Sequence, residues 1–206
     1  MGTTADVRLA TADDVDGMAE ALSLAFEDDP VMQWLFGDEP PRPTKYSRRF
    51  FQHEGRRHLK HHRVYTLDGH AGASYWDTPG HWKTSILGMV PLAPTMIAGI
   101  GRRVVHALQG LGALEKAHGQ HPEHYYLAVL GTRPDRQGSG IGSALMAPVL
   151  HTCDAEGVGA YLESSKESNI PFYRRHGFEV VEELAFPGGG PTLWAMWRDP
   201  QPPAPG

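Results

Sequence analysis

The sequence lacks several features that mark secreted proteins and general nucleic-acid binders. It contains one cysteine, Cys153, which excludes an internal disulfide and favours a reducing compartment. Its 24 acidic residues outnumber the 19 basic ones and give a formal net charge of −5. This balance argues against binding nucleic acid through a general basic field. No apolar stretch follows Met1, so we expect no secretory signal and a cytoplasmic location.

Long hydrophobic runs are also missing. The segment that comes nearest to a membrane span is the uncharged stretch 85–101, which has 17 residues and contains Pro91 and Pro94. A spanning helix needs roughly 20 apolar residues, and prolines interrupt its hydrogen bonds. We therefore expect a buried or lid-forming pair of helices here, and no contact with a membrane.

The composition is that of an ordinary globular domain. Hydrophobic residues make up 40% and charged residues 21% of the 206 residues, which is enough to bury a sizeable core. We expect one domain over residues 1–199, present as a monomer or a homodimer, followed by a disordered proline-rich tail at 200–206. Strand-like and helix-like stretches alternate, which predicts an α/β or α+β class.

The first half of the chain predicts helices around an early hairpin. Apolar residues recur at helical spacing behind Thr11, which together with Asp14 forms an N-cap pattern. Asp68-Gly69 between two short apolar runs is a strong hairpin signal. The predicted elements are a strand at 7–10, helices at 13–26, from 29 onward and at 43–60, hairpin strands at 63–67 and 71–76, and a helical insert at about 80–120.

The second half predicts buried strands that alternate with helices. The continuous apolar run 125–130 has the length of a strand covered on both faces. A helical stripe from Ile141 to Cys153 follows it, and Gly177 is placed to end a later short helix. The remaining predicted elements are a strand at 160–164, a short helix at 170–175, and strands at 179–186 and 192–197.

The strongest local signal is the glycine-rich segment Arg136-Gln-Gly-Ser-Gly-Ile-Gly142, between a buried strand and a helix. Glycines let backbone N–H groups converge on a ligand, and the helix N-terminus adds a positive dipole, so this segment predicts a phosphate or pyrophosphate site. It lacks the P-loop lysine, and Ser143 replaces the third glycine of a dinucleotide fingerprint. Glu163 lies at the distance expected for a ribose contact, so dinucleotide binding stays open as the poorer fit, beside a loop that only turns the chain.

Two motifs together resemble one enzyme family. The segment 137–142 is similar to the Gln/Arg-x-x-Gly-x-Gly/Ala loop of the GCN5-related N-acetyltransferase (GNAT) superfamily, and 169–178 is similar to its Tyr-x-x-x-Gly-Phe element. The resemblance extends from Val7 to Trp197. It implies the GNAT fold, with a mixed, mostly antiparallel central sheet of about seven strands flanked by helices. Segments 25–30 and 161–165 look most similar to a member that acetylates an antibiotic.

The resemblance also implies where acetyl-CoA, the co-substrate of the family, binds. Backbone groups of the glycine-rich loop would hold its pyrophosphate, and a strand edge near Leu130 would pair with its pantetheine arm and stabilise an oxyanion. Many members have an asparagine seven residues before the tyrosine, where this chain has Lys166. The candidate binding residues are Val129, Leu130, Gly131, Arg136, Gln137, Gly138, Ser139, Gly140, Ile141, Gly142, Ser143 and Asn169.

Two residues are candidates for proton transfer. The resemblance makes Tyr173 the general acid for the leaving thiolate, and a phenol pKa near 10 is close enough to a thiol pKa of about 8.5 for that transfer. Glu163 is expected in a buried central strand, where burial raises a carboxyl pKa toward that of a useful base. The alternatives are a packed aromatic ring for Tyr173 and a structural ion pair with an arginine for Glu163.

Acidic and aromatic residues are candidates for the acceptor side of the site. Asp29 caps a helix, which leaves Glu27 and Asp28 to attract a cationic amine, unless they lie in a solvated loop. Trp76, Trp82 and the insert 80–120 are placed either to wall an acceptor pocket or to fill the core.

Histidines number 12, and two groups of them invite a metal hypothesis. Neither group has a cysteine or a close carboxylate partner in sequence, so we expect no metal. Solvated side chains or acceptor-pocket contacts are the expected roles of His58, His61 and His62, and of His118, His121 and His124.

The sequence as a whole predicts acetyl transfer from acetyl-CoA to a primary amine of a small molecule, by direct attack in a ternary complex. A peptide or protein amine is the alternative acceptor. A CoA-binding sensor module without catalysis is the alternative outside the enzymes.

Overall fold

The structure, a computed structural model, contains one mixed β-sheet with helices on both faces. It describes residues 6–36, 42–61, 63–83, 93–94, 98, 101 and 104–202. The strands are β1 (Val7–Leu9), β2 (Arg63–Leu67), β3 (Gly72–Asp77), β4 (His124–Thr132), β5 (Gly159–Ser164), β6 (Glu179–Ala185) and β7 (Thr192–Arg198).

The described helices lie where the hydrophobic periodicity predicts them. Predicted and observed boundaries differ by no more than two residues for the first and third helices and for the strands. Part of the insert, including 13 of the 17 residues of the stretch 85–101 predicted as a helix pair, lies outside the described residues. The helices are α1 (Val15–Ala25), α2 (Pro30–Phe36), α3 (Arg42–His61), α4 (Val104–His118), α5 (Ile141–Glu156) and α6 (Ile170–Arg174).

The strand order is β1-β2-β3-β4-β5-β7-β6, and every neighbouring pair is antiparallel except β4 and β5. The prediction of a mixed, mostly antiparallel sheet of about seven strands is therefore confirmed. The one parallel pair needs a crossover, and α5 supplies it between β4 and β5.

Two apolar clusters hold helices against the opposite faces of the sheet. On one face, Leu145 and Val149 of α5 pack with Leu162 of β5. On the other face, Leu22 of α1 and Phe51 of α3 pack in a separate cluster. These side chains are almost completely buried, and each such burial stabilises the fold by about 1.5–3 kcal/mol.

Several turns have the local causes that their sequences predict. Asp29 caps α2 because its Oδ1 accepts hydrogen bonds from the backbone N–H groups of Val31 and Met32. Gly69, in the turn between β2 and β3, has a φ of 74°, which a residue with a Cβ rarely adopts. Both signals are correctly predicted from sequence.

A buried carboxylate joins the first strand, the first helix and the early hairpin. Asp14 accepts two hydrogen bonds of 2.8 Å from the Arg8 guanidinium and one from the backbone of Thr11. His70, in the hairpin turn, lies 2.8 Å from the same carboxylate. The Arg8 guanidinium holds the pKa of Asp14 well below its usual range.

Asp14→Asn is expected to lower the free energy of unfolding by about 1–3 kcal/mol at pH 7, because Arg8 then lies beside a neutral amide. The folded-state pKa of Asp14 is lowered, so its contribution is complete above the unfolded pKa of about 3.9 and is lost as the pH falls below it. Urea unfolding at pH 7 and pH 3 measures both effects, with exposed Asp13→Asn as the control. This account would be contradicted if the difference in the free energy of unfolding between wild type and Asp14→Asn were the same at pH 3 as at pH 7.

The C-terminal end is anchored further than predicted. Arg198 of β7 is buried and donates two hydrogen bonds of 2.7 and 2.9 Å to Asp154 of α5. The backbone N–H of Gln201 donates to the same carboxylate at 2.7 Å. Gln201 belongs to the segment predicted as a disordered tail, and residues 203–206 of that segment lie outside the described residues. Among the described residues, no helix combines the length and hydropathy needed to cross a membrane.

Candidate active site

A cleft opens where β4 and β5 stop pairing. Their parallel register runs from His124 opposite Gly159 to Tyr126 opposite Tyr161 and ends there. Beyond Tyr126, the edge of β4 that faces β5 has no strand partner in the described part of the chain. The resulting cleft has a volume of about 670 Å³ and is bordered by α1, α5 and α6.

The cleft brings together almost all of the residues that the sequence predicts for the site. Ser139 is the exception, because its hydroxyl turns back and donates to the carbonyl of Arg136. The residues that line the cleft are Val129, Leu130, Gly131, Arg136, Gln137, Gly138, Gly140, Ile141, Gly142, Ser143, Glu163, Asn169 and Tyr173.

The glycine-rich loop has a backbone that requires glycine at specific positions. Gly140 has a φ of 84° and lies immediately before α5, and a Cβ on Gly142 would come within 3.1 Å of the Phe172 ring. No side chain caps the N-terminus of α5. The first N–H groups of this helix are therefore free of side-chain partners and face the end of the cleft where the loop lies, as an anion site requires.

Tyr173 lies on α6 with its ring against Phe172 and Phe178, at centroid distances of 5.2 and 6.1 Å. Burial raises its pKa, and the negative charge of nearby Asp29 raises it further. The phenol therefore keeps its proton at physiological pH. It is a weaker acid than the unperturbed phenol assumed from the sequence.

Two polar contacts connect the loop after α1 to the end of β5. Asp29 accepts a hydrogen bond from Ser165, and Lys166 donates to Asp28. Asp29 is buried, and that burial raises its pKa. Asp29, which the sequence assigned to capping, also contacts Ser165 through its second oxygen and lines the cleft. Lys166, at the position of the family's asparagine, is paired with Asp28 and lines the cleft.

Glu163 has a buried side chain that is 5% exposed, as the strand pattern predicts. Its partner is a histidine and not an arginine: Oε1 lies 3.3 Å from Nε2 of His118. Within the described ranges, neither Oε1 nor the hydroxyl of Tyr161 has a hydrogen bond of good geometry. Burial, together with the charge of Glu163, raises the pKa values of Tyr126 and Tyr161. The carboxylate thus has hydrogen-bonding capacity to spare in a place shielded from water.

Three of the histidines for which the sequence left solvated and acceptor-pocket roles open are buried. His58 is completely buried in α3, and His118 and His124 are 3% and 1% exposed. The sequence analysis missed the contact of His118 with Glu163 because 45 positions separate them in the chain. One signal was available in the sequence. The two-residue period of β5 places Tyr161 on the same face of the sheet as Glu163, which indicates an aromatic environment around the carboxylate.

The two tryptophans considered for the acceptor pocket have different roles. Trp76 is fully buried in the cluster under α5, so it fills the core. Trp82 stacks on the His118 ring at a centroid distance of 4.2 Å and lies next to the Glu163 environment. In the ranges that the structure covers, no group of three or more His, Cys, Asp or Glu side chains is arranged to hold a metal ion.

Comparison with known proteins gives the family. Residues 28–178 match the profile of the acetyltransferase (GNAT) family. The chain belongs to this family, and it is an N-acetyltransferase with the GNAT fold. It is 29% identical over 184 residues to an uncharacterised N-acetyltransferase of Schizosaccharomyces pombe, covering 84% of this chain and 74% of that protein.

Two further comparisons show the range of the family. Over 69 residues the chain is 32% identical to N-alpha-acetyltransferase 50 of Danio rerio, covering 32% of this chain and 41% of that one. The crystal structure of a histone acetyltransferase HPA2 and related acetyltransferase from Corynebacterium glutamicum superposes with a TM-score of 0.69 at 21% identity, covering 98% of this chain and 100% of that one. That likeness shows the fold alone.

Proposed function

We propose that the protein transfers an acetyl group from acetyl-CoA to the primary amine of a small molecule by direct attack in a ternary complex. The observation that carries the proposal is the Glu163 carboxylate. It is buried at the cleft, and its Oε1 lacks a hydrogen bond of good geometry among the described residues. A buried acceptor atom without its full hydrogen bonds is costly, and an ammonium group would satisfy it.

The donor side of the cleft suits acetyl-CoA. Residues Arg136 to Ser143 combine positive-φ glycines, an uncapped helix N-terminus and one arginine, which fit a pyrophosphate. The edge of β4 at Val129 to Gly131 lines the cleft and can pair with an amide-containing arm as an added strand would. We propose Asn169, which also lines the cleft just before α6, as a further contact to CoA.

The acceptor side suits a cationic small molecule. Segments 25–30 and 161–165, which resemble puromycin N-acetyltransferase in sequence, meet at the cleft through the Asp29–Ser165 hydrogen bond. Their acidic side chains, Asp29 and Glu163, both line it. A peptide amine is the second candidate acceptor, and the similarity to N-alpha-acetyltransferase 50 favours it.

In the proposed reaction, Glu163 acts as the base and Tyr173 acts as the acid. Bound acetyl-CoA supplies an acetyl group activated as a thioester. Glu163 removes one proton from the acceptor ammonium, so that the nitrogen lone pair attacks the carbonyl carbon, and a backbone N–H near Leu130 stabilises the negative charge on the carbonyl oxygen. Tyr173 donates its proton to the departing sulfur and regains one from the nitrogen. The amine thus loses two protons, one to Glu163 and one to the sulfur through Tyr173.

Saturating acetyl-CoA is expected to raise the melting temperature. A ligand at a hundredfold its Kd adds about 2.7 kcal/mol, or roughly 5–10 °C for a chain of this size. Differential scanning fluorimetry measures the shift, with NADH and ATP as controls for a dinucleotide or nucleotide site. No shift with acetyl-CoA, or a shift with NADH alone, would contradict the proposed donor site.

The release of free CoA thiol, followed with puromycin, spermidine and a short peptide with a free N-terminus, distinguishes the acceptors. Turnover with puromycin or spermidine supports the small-molecule proposal. Turnover with the peptide alone favours the second candidate. Binding of acetyl-CoA without turnover of any amine in a broad panel would indicate a CoA-binding sensor.

A further inference from the structure

A chain of polar groups leads from Glu163 to the end of α4. Nε2 of His118 lies 3.3 Å from Oε1 of Glu163, and Nδ1 of His118 lies 3.0 Å from Nε2 of His124. Nδ1 of His124 lies 2.7 Å from the carbonyl oxygen of Pro122. The chain therefore runs through three consecutive contacts, in which the side chains of Glu163, His118 and His124 are buried and Pro122 is exposed.

The proton positions follow from the carbonyl end of this chain. A carbonyl oxygen only accepts, so Nδ1 of His124 must carry a proton. Burial lowers the pKa of His124 to about 4, so at neutral pH its Nε2 is a bare acceptor. His118 must then donate from Nδ1, and this leaves its Nε2 directed at Glu163.

The contact between His118 and Glu163 can be bridged by one proton. A neutral His118 with its proton on Nδ1 presents a lone pair at Nε2, and an ionised carboxylate presents only lone pairs. Two acceptors 3.3 Å apart repel each other until one proton lies between them. The pair can therefore hold one exchangeable proton, and it can accept one whenever that position is empty.

Aromatic rings hold His118 in this orientation. Trp82 stacks on it, and the rings of Tyr126 and Tyr161 meet it edge-on at 4.4 and 4.6 Å. Such rings exclude water from the imidazole and fix the plane of its ring.

The neighbouring titratable groups do not compete for this proton at neutral pH. The pKa values of Tyr126 and Tyr161 are raised by burial, and burial lowers the pKa of His121. Both phenols therefore stay protonated and His121 stays neutral. The carboxylates whose charges are felt in this environment, besides Glu163, are Asp77 and Glu182.

We propose that His118 is a positioning residue for acetyl transfer, which orients Glu163 and shares the proton that Glu163 removes from the acceptor amine, while His124 fixes its tautomer. The inference rests on the proposed role of Glu163 as the base. In this step an N–H bond of the ammonium breaks and its electron pair stays on nitrogen. The proton comes to lie between Oε1 of Glu163 and Nε2 of His118, and it returns to solvent after the transfer.

The proton arrangement is tested on the free protein, without any acceptor. Long-range ¹H–¹⁵N spectra of histidine-labelled protein between about pH 5 and 9 report which ring nitrogens carry protons. Within the chain of contacts from Glu163 to Pro122, we expect His124 to keep its proton on Nδ1 and only the signal of Nε2 of His118 to depend on pH. In Glu163→Gln the new amide donates to that nitrogen, so the pH dependence of His118 is expected to disappear.

Glu182→Gln makes the same change on the neighbouring strand β6 and is expected to leave the His118 signal as it is in the wild type. A proton on Nε2 of His124 in the wild-type protein would overturn the arrangement without any variant. An unchanged His118 titration in folded Glu163→Gln would also overturn it.

The role in turnover is tested with His118→Gln, using whichever of puromycin, spermidine and the peptide is acetylated fastest. The side-chain amide of the glutamine can still donate a hydrogen bond to Glu163. Unlike the imidazole of His118, however, it cannot take up the proton that Glu163 removes from the amine. We expect kcat to fall at least about tenfold, the acetyl-CoA melting shift to persist, and the pH of half-maximal rate to move. Exposed His151→Asn on α5 is the control and is expected to behave like wild type.

Failure of this inference is distinguishable from failure of the proposed function. A wild-type rate and pH profile in His118→Gln, with an active wild-type enzyme, overturns the role of His118 alone. If the tautomers of His118 and His124 are as predicted but the protein acetylates no amine, the proposed function is overturned. The proposed role of His118 in turnover is then overturned with it.

Discussion

Tyr173→Phe is expected to lower kcat at least about tenfold while leaving the affinity for acetyl-CoA nearly intact. The ring packs against Phe172 and Phe178, and phenylalanine preserves that packing. Only the hydroxyl is lost, and with it the proton for the departing sulfur. Because burial raises the pKa of Tyr173, we also expect no alkaline loss of activity from this residue below about pH 10.

Initial rates of thiol release measure this effect, and the acetyl-CoA melting shift shows that the donor site is intact. Tyr125→Phe is the matched control, because its hydroxyl donates to Glu156 of α5 at 2.8 Å and Tyr125 packs in the core beneath that helix. We expect that control to keep its kcat even if it melts slightly earlier. An unchanged kcat in Tyr173→Phe would remove Tyr173 from the mechanism.

Glu163→Gln is expected to reduce the rate most strongly at low pH. Below the pKa of the acceptor amine, about 10 for an alkylamine, the nitrogen carries a proton that a base must remove. At high pH the amine is already neutral and needs Glu163 less. We therefore expect the rate to fall at least about tenfold at pH 7. This loss is expected to become smaller as the pH approaches the pKa of the acceptor amine.

The pH profiles of kcat/KM for the amine, for wild type and Glu163→Gln, measure this pattern. Glu182→Gln on β6 is the control for the loss of one negative charge from this part of the sheet. A loss that is the same at every pH, accompanied by a lower yield of folded protein, would instead assign Glu163 a structural role. The contact with His118 would then serve only the fold.

Secondary structure was predictable to within about two residues for most elements because its signals are local. Apolar spacing behind Thr11 indicates α1, and Asp29 with Pro30 marks the start of α2. The conformation of the glycine-rich loop was predictable for the same reason, since that conformation and the helix after it depend on neighbouring residues. Among the loop residues, Ser139 has a hydroxyl that donates back to the carbonyl of Arg136.

Pairings between distant segments were not predictable. The sequence analysis named an arginine as the alternative partner of Glu163 and left His118 and His124 either solvated or in an acceptor pocket, whereas the structure places His118 beside Glu163 and buries both histidines. It also assigned Asp29 to capping alone, although one carboxylate has two oxygens and the second contacts Ser165. In each case the local reasoning was sound, but the deciding partner lies far away in the chain.

By itself, the sequence determined the elements, the fold class and the glycine-rich loop, because hydrophobic period, caps and glycine conformations act over a few residues. Only the tertiary structure decided which side chains meet at the cleft. The order of the sheet places β5 beside β4, and their separation after Tyr126 opens the cleft next to Glu163. The packing of α4 against that face brings His118 to the same carboxylate. Burial then removes water from the pair, so that each group must find its hydrogen-bond partner in the protein or in the substrate.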